Sequence, residues 1–238
     1  MLPSPMSPNL LSELLDLWEH AVTLSNSQRD DALLRAINEP VRGLGARNAA
    51  LVKLRANLFG TAWPLRGSCP RCKENSEFSV DAQSLATELA STIPDAEQTY
   101  HLTVSERSIG FRLPSSDDLI QAASGDPDTT ALALLQRCVV NGDQVDLDVA
   151  TQEQLSTRMQ ELDPAAVVSF SITCPACSHA WDAVIDVGSA VWTEVKAAAE
   201  RLLLDVDVLA RTYGWTEPQI LALSPLRRAA YLQLAGAA

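Results

Sequence analysis

Apolar residues at the start of the chain recur at intervals of three and four, the period that gives a helix one buried face. This pattern predicts helices over 10–22, 27–37 and 46–59, with Ser27 as the N-cap of the second helix. Gly60 is expected to end the third helix, because glycine readily adopts the backbone conformation that stops one. Three helices are therefore predicted before the first cysteine.

After Gly60 the apolar period changes to two, which is typical of half-buried strands. Two alternating runs joined across 105–108 predict a β-hairpin over 100–113. No element is predicted for 83–99. The other alternating runs predict strands at 76–80, 168–172 and 181–187.

Helical signals return in the middle of the chain. The tetrapeptides at 115–118 and 151–154 have the composition of N-terminal caps, so each is predicted to open a helix. The apolar residues of the segment 129–140 have the spacing of a helix, which predicts a helix there. Stretches rich in Gly, Pro, Asn and Asp predict loops at 124–130 and 141–143.

The end of the chain is predicted to be helical again. A long helix over 189–213 is expected to stop at Gly214, a short helix to begin at Thr216, and Pro225 to open the last helix. The long helix carries an apolar stripe with heptad-like spacing. Such a stripe is either a face buried in the core or a docking face for a partner helix, and the sequence leaves both open.

The strongest chemical signal is a pair of Cys-Pro-x-Cys motifs about a hundred residues apart. Two thiolates on one tight turn can face the same metal ion, and two such turns make the tetrahedral four-thiolate shell that structural Zn²⁺ prefers. Because sulfur takes all four positions, water has no coordination site, and the predicted role is structural. The predicted ligands of this single Zn²⁺ are Cys69, Cys72, Cys174 and Cys177.

The separation of the two motifs shapes the predicted fold. A compact zinc ribbon carries its second cysteine pair about 15 to 20 residues after the first. Here the fold is predicted to be α+β and mainly helical, with a split four-cysteine zinc ribbon over 61–188 that contains an insertion, 73–173. A helical segment, 1–60, precedes this region and a helical segment, 189–238, follows it. The alternative interpretation is that each cysteine pair is a redox dithiol, or that the two turns are not involved in any chemistry.

The fifth cysteine, Cys138, lies among apolar residues of a predicted helix. It is therefore expected to be a buried small apolar side chain.

Composition and charge exclude several classes of function. The 238 residues carry 18 Lys and Arg against 30 Asp and Glu, a net charge of −12, which repels phosphate backbones and disfavours a general nucleic-acid binder. The chain shows no signal-peptide pattern and no stretch long enough to span a bilayer, so a cytoplasmic protein is expected. It contains no phosphate-binding loop, metalloprotease helix or nucleophile elbow, which predicts a protein that is not an enzyme.

Aromatic residues and an adjacent arginine pair occur together near the end of the chain. Arg, Trp and Tyr are the residues that most often anchor protein interfaces. The alternative for the arginines is a solvent-facing pair with no partner. The predicted partner-binding residues are Tyr213, Trp215, Arg227, Arg228 and Tyr231.

Several segments taken together resemble the baseplate hub assembly chaperones of T-even-type phages, and similar proteins of extracellular contractile injection systems. The resemblance covers nearly the whole chain, and the segment near its end is the most specific part. The matching segments are LLDLWE at 14–19, the two Cys-Pro-x-Cys motifs, FRLPS at 111–115, LARTYGWTE at 209–217 and ILALSPLRRAAYL at 220–232.

This resemblance implies a non-enzymatic protein of a contractile-tail gene set that acts in assembly of the baseplate hub and spike. The implied partners are hub, spike or tape-measure proteins, without nucleic acid, membrane or small-molecule substrate. The protein either leaves after assembly or stays in the baseplate of the finished particle. A zinc-ribbon nucleic-acid-binding or transcription accessory protein is the rival interpretation; it needs a basic face, for which Arg66, Arg71 and Lys73 are the candidates.

Overall fold

The computed structural model describes residues 8–37, 41–95, 97–104, 107–123, 129–140 and 147–236. The described part of the chain begins with three helices, as the apolar period predicts: α1 (Pro8–Ala21), α2 (Asn26–Ala36) and α3 (Leu44–Phe59). The N-cap of α2 is Ser25, two residues before the predicted Ser27, and its backbone N–H donates to the side chain of Gln28 at 3.3 Å. Gly60 ends α3 with a φ of 87°.

The strands within the described residues form three antiparallel pairs. Strand β1 (Ala62–Ser68) pairs with β2 (Asn75–Asp81), β3 (Tyr100–Val104) with β4 (Arg107–Phe111), and β5 (Val168–Thr173) with β6 (Ala180–Ile185). In the first pair Ala62 lies opposite Asp81 and Ser68 opposite Asn75. The predicted hairpin turn at 105–108 is shorter than expected, because 107 and 108 already belong to β4; residues 105–106 lie outside the described ranges.

The helices between these hairpins are α4 (Ala82–Ser91), α5 (Ser116–Ala123), α6 (Thr130–Cys138) and α7 (Val149–Leu162). Helix α4 was not predicted; it follows β2 directly, and the carboxylate of Asp81 caps it by accepting the Ser84 N–H at 2.7 Å. The cap of α7 is Asp148. Most of the loop predicted at 124–130, and all of that at 141–143, lies outside the described residues.

The C-terminal helices are α8 (Val187–Tyr213), α9 (Glu217–Leu221) and α10 (Pro225–Gly236). Helix α8 stops at Gly214, whose φ of 68° is the left-handed conformation expected there. Four residues of its apolar stripe are fully buried, so the stripe is a core face of this chain. They are Val195, Ala199, Leu202 and Leu209.

The described residues build two hydrophobic cores. The larger core joins α1, α2, α3, α4 and α8 with the first and third strand pairs, and Leu33, Leu51 and Val191 lie fully buried in it. The smaller core lies between β4, α6 and α7 and centres on Phe111 and Leu155. The fold class is therefore α+β and mainly helical, with small two-stranded sheets. The domain boundaries at 60 and 188 stay a prediction.

Cys138 belongs to the smaller core and is 0% exposed, as its apolar neighbours predict. Burial raises the pKa of its thiol to about 12, so the side chain stays neutral.

Among the helices of the described ranges, none combines the length and the apolar character that a bilayer crossing needs.

Candidate metal centre

Two hairpins that are far apart in the chain pack against each other near their turns. The turn between β1 and β2 carries Cys69 and Cys72, and the turn between β5 and β6 carries Cys174 and Cys177. Apolar residues hold the hairpin faces together: the rings of Phe78 and Phe170 have centroids 5.5 Å apart.

The contact is close at Gly67, where an added Cβ would lie 3.1 Å from the side chain of Ile172 and 3.3 Å from that of Ala183. The packing of the strands therefore brings the two cysteine-bearing turns to the same place.

The two turns have the same backbone construction. In the first, the N–H of Cys69 donates to the carbonyl of Glu74 and the N–H of Lys73 donates to the carbonyl of Cys69, both at 2.9 Å. In the second, Cys174 donates to His179 and Ser178 donates to Cys174, again at 2.9 Å. The residue after the second cysteine is left-handed in both, with φ of 64° at Lys73 and 56° at Ser178. The Cys-Pro-x-Cys sequence thus fixes both thiols of each turn on one side.

The four Sγ atoms form a compact group in which all lie within 4.8 Å of one another. The Sγ atoms of Cys69 and Cys177 are 3.7 Å apart, and those of Cys72 and Cys174 are 3.5 Å apart. A tetrahedral Zn²⁺ with bonds of about 2.3 Å to sulfur places its ligands about 3.8 Å from one another. The donor set and its spacing therefore fit a tetrahedral, thiolate-preferring metal ion.

Burial and titration differ among the four thiols. Cys69 and Cys174 are buried, whereas Cys72 is exposed. Burial alone would raise the pKa of Cys69, but hydrogen bonds from the backbone of Cys72 and Arg71 lower it to about 7. The backbone of Glu74 lowers the pKa of Cys72, but the adjacent thiols, that of Cys177 most of all, outweigh that effect and raise it to about 12. Four thiols this close cannot all ionise without a cation among them.

The left-handed residues of the two turns lead to a prediction about stability. A residue with a Cβ costs about 1 to 2 kcal/mol in this conformation, and glycine does not. Replacing Lys73 with Gly, or Ser178 with Gly, is therefore expected to raise the free energy of unfolding by about 1 kcal/mol, measured by urea denaturation. The matched control is Glu74→Gly, because this neighbour has no positive φ and its substitution is expected to destabilise. Destabilisation by Lys73→Gly and Ser178→Gly would contradict this account of the turns.

The predicted partner-binding residues meet where α8 ends beside α10. Tyr213, Trp215 and Tyr231 form an aromatic cluster with ring centroids 4.7 to 5.6 Å apart. Arg228 is 8% exposed, and its Nε lies 3.2 Å from Oδ2 of Asp205 on α8. Arg227 is exposed, and no ion pair is found for it in the described part of the chain.

The two arginines therefore have different surroundings. Adjacent positions on a helix point about 100° apart, so the RR sequence does not place two charges on one face. Contact of the five residues with a partner stays a prediction.

One polar cluster was missed by the sequence interpretation, which placed Asp118 in the cap signature at 115–118 and gave it no partner outside that helix. Its carboxylate is 2% exposed and accepts hydrogen bonds from Arg112 at 2.9 Å and Arg137 at 3.2 Å. It also accepts the N–H of Ser115 at 3.0 Å, the capping-box contact at the start of α5 that the signature at 115–118 predicts. Asp118 thus joins the segment after β4 to α5 and α6. Neither the cap signature at 115–118 nor the family resemblance of the segment 111–115 gave a reason to expect this role.

Comparison of the sequence with models of known protein families gives a match. A family model described as T4 bacteriophage base plate protein matches residues 31–187, more than half of the 238 residues. The matched segment contains all four clustered cysteines and leaves α9 and α10 outside. No curated protein sequence and no solved structure matches the chain significantly.

Proposed function

The chain belongs to the T4 bacteriophage base plate protein family, and we propose that it acts without catalysis in assembly of the baseplate hub and spike. The setting is a contractile phage tail or a contractile injection system, and the protein acts either as an assembly chaperone or as a minor baseplate component. The family match over residues 31–187 is the observation that carries this proposal. We place the activity in the cytoplasm of the producing cell.

The metal of the proposed function is one structural Zn²⁺ held by Cys69, Cys72, Cys174 and Cys177. Thiolate sulfur is a soft donor that suits Zn²⁺, and four protein ligands leave no position open for a reacting water. The ion would join two hairpins whose cysteines are 102 and 108 residues apart. Closing so long a loop costs only slightly more than closing a short one, because the entropy depends on the logarithm of its length.

The proposed partners are hub, spike or tape-measure proteins, and the proposed contact is the C-terminal residue set. Arg227 is exposed on α10, and the same helix exposes Leu226 at 80% and Leu234 at 61%. Arg228 contacts Asp205, and Tyr213 donates a hydrogen bond to the carbonyl of Tyr231 at 3.3 Å. In this proposal Arg227 and the accessible edge of Trp215 touch the partner, and the others hold α10 against α8.

Co-purification with the proposed partners tests this assignment. After co-expression with the hub, spike and tape-measure proteins of its own gene set, the tagged chain is expected to recover at least one of them. Replacing Arg227 and Trp215 together with Ala is expected to weaken that complex by about 2 kcal/mol, or about 30-fold in Kd, as for interface anchors.

Arg158→Ala is the matched control, because this arginine is exposed on α7 and its one ion pair among the described residues is with Glu161 in the same helix. Thermal unfolding of each variant separates lost binding from lost folding. Unchanged recovery with both tail residues replaced would remove the tail from the proposal. Failure of the wild-type chain to recover any of the three partners would contradict the assembly role itself.

The rival nucleic-acid-binding role has less support. Of its three candidate cations, Arg66 forms an ion pair with Glu77 at 2.9 Å. The acid excess of the whole chain opposes approach of a phosphate backbone.

A further inference from the structure

The four clustered thiols show a pattern of burial that a metal shell alone does not require. The first cysteine of each motif is buried, at Cys69 and at Cys174. The second is more accessible, since Cys72 is exposed and Cys177 is partly exposed. The sulfur of Cys72 lies 3.5 Å from that of Cys174, and a contact of 3.7 Å joins the other two sulfurs. Each contact therefore pairs an accessible thiol of one hairpin with a buried thiol of the other.

Hydrogen bonds within the first turn fix the positions of its two sulfurs. The sulfur of Cys69 accepts from the backbone of Arg71 and of Cys72. The sulfur of Cys72 accepts from the backbone of Glu74. A bond between these two sulfurs would turn them away from their donors. A bond across the hairpins instead shortens an existing contact, from 3.5 Å to the disulfide length of about 2.05 Å.

We propose that oxidation joins the two hairpins through two disulfides, Cys72 with Cys174 and Cys69 with Cys177, instead of closing one disulfide within each motif. The pairing follows from the packing of the hairpins and from the burial of the four thiols. It depends neither on a bound metal nor on the proposed baseplate function. Cys138 takes no part, because it is buried in the smaller core.

A hydroperoxide, such as hydrogen peroxide, is the oxidant of this reaction. The thiolate of Cys72 attacks one peroxide oxygen, the O–O bond breaks and hydroxide leaves, so that Cys72 becomes a sulfenic acid. The sulfur of Cys174 then attacks the Cys72 sulfur, the S–O bond breaks, and the oxygen leaves as water. The two sulfurs give up two electrons, and with the two thiol protons the peroxide becomes two water molecules. A second peroxide oxidises Cys177 and Cys69 in the same order.

The crossed disulfides would hold the hairpins together where thiols do not stay reduced. They join cysteines 102 and 108 positions apart, and closing a loop of this length stabilises a fold more than closing the short loop within one motif. Disulfides persist outside the reducing cytoplasm. A chain retained in a released particle would therefore keep this connection after oxidation removes the thiolates that a metal needs.

Peptide mapping of the full chain after treatment with hydrogen peroxide tests the pairing. Trypsin cuts after Arg71, so the first two cysteines leave on separate peptides, 67–71 and 72–73. The other two stay together on the peptide 159–196, which has no internal arginine or lysine. With free thiols blocked before digestion, mass spectrometry is expected to find both short peptides joined to 159–196. Fragmentation between the two cysteines of 159–196 should place 72–73 on Cys174.

The fifth cysteine provides the matched control. Full oxidation is expected to leave one free thiol of the five, that of Cys138, which is 0% exposed. Cys138→Ala is therefore expected to leave no free thiol and to give the same two bridges. The proposal would be overturned by 67–71 joined to 72–73, by 72–73 attached to Cys177, by covalent dimers, or by four thiols that resist oxidation.

Thermal unfolding shows whether the bridges hold the hairpins together. With a metal chelator present, the oxidised chain is expected to melt at least about 5 °C above the same sample after reduction with a phosphine. A reduced sample that is already unfolded, beside an oxidised one that melts cooperatively, would support the proposal equally. Equal melting temperatures would overturn it.

Discussion

Replacing Cys69 with Ser is expected to cost more stability than any other single substitution considered for this protein. The side chain is fully buried and lies 3.7 Å from the sulfur of Cys177. A structural Zn²⁺ site contributes about 10 to 16 kcal/mol in zinc-finger peptides, and a typical domain is stable by only about 5 to 15 kcal/mol. We therefore expect the variant to lose at least about 5 kcal/mol and to bind no zinc.

Cys138→Ala is the matched control for this experiment, because Cys138 is equally buried but lies in the smaller core, outside the group of four thiols. It is expected to keep one zinc ion and to lose only about 1 kcal/mol from a small cavity. Urea denaturation followed by circular dichroism, with zinc content measured on the same samples, gives both quantities. Equal unfolding midpoints for Cys69→Ser and Cys138→Ala would contradict a metal that holds the two hairpins together.

Replacing Asp118 with Asn is expected to cost about 2 kcal/mol, because the buried carboxylate loses charged hydrogen bonds to two guanidinium groups, whose own partial exposure lets water compensate them. Here two guanidinium groups, of Arg112 and Arg137, would lose their carboxylate, and α5 would lose its charged cap. Asp117→Asn is the matched control, since Asp117 is the preceding residue and is exposed without an ion pair in the described ranges. It is expected to change stability by less than about 0.5 kcal/mol.

The pH dependence of unfolding gives a second readout for Asp118. Burial alone would raise the pKa of this carboxyl, but hydrogen bonds from Arg112 and Ser115 outweigh burial and hold the pKa well below its usual range. A lowered pKa means that the contribution to stability is present above the ordinary value of 3.8 and is lost as the pH falls below it. The free energy of unfolding should therefore fall less steeply below pH 4 in Asp118→Asn than in the wild type. Parallel curves would contradict the ion-pair network.

Local sequence signals predicted much of the secondary structure, and their failures have physical causes. Strand β1 was missed because Pro64 interrupts its pattern; proline is tolerated there because a two-stranded sheet has only edge strands. Helix α4 was missed although Ala82, Leu85, Ala86 and Leu89 have helical spacing and are all buried. The spacing of these four residues was enough to predict the helix from the sequence alone.

The candidate site was predictable only in part. Each Cys-Pro-x-Cys turn is a local feature, so its two thiols could be expected to face one way. The meeting of the two turns depends on the packing of Phe78 on Phe170, 92 positions later in the chain, and no local pattern encodes that contact. The same reason applies to Arg228, whose partner Asp205 lies on another helix.

Assembly of tail particles tests the central claim most directly. Cells that express the contractile-tail gene set with and without this chain can be compared by electron microscopy and by protein analysis of the purified particles. We expect particles without the chain to lack hub and spike, and the wild-type chain supplied separately to restore both, whereas Cys69→Ser should not. Particles of normal composition formed in the absence of the chain would contradict the account.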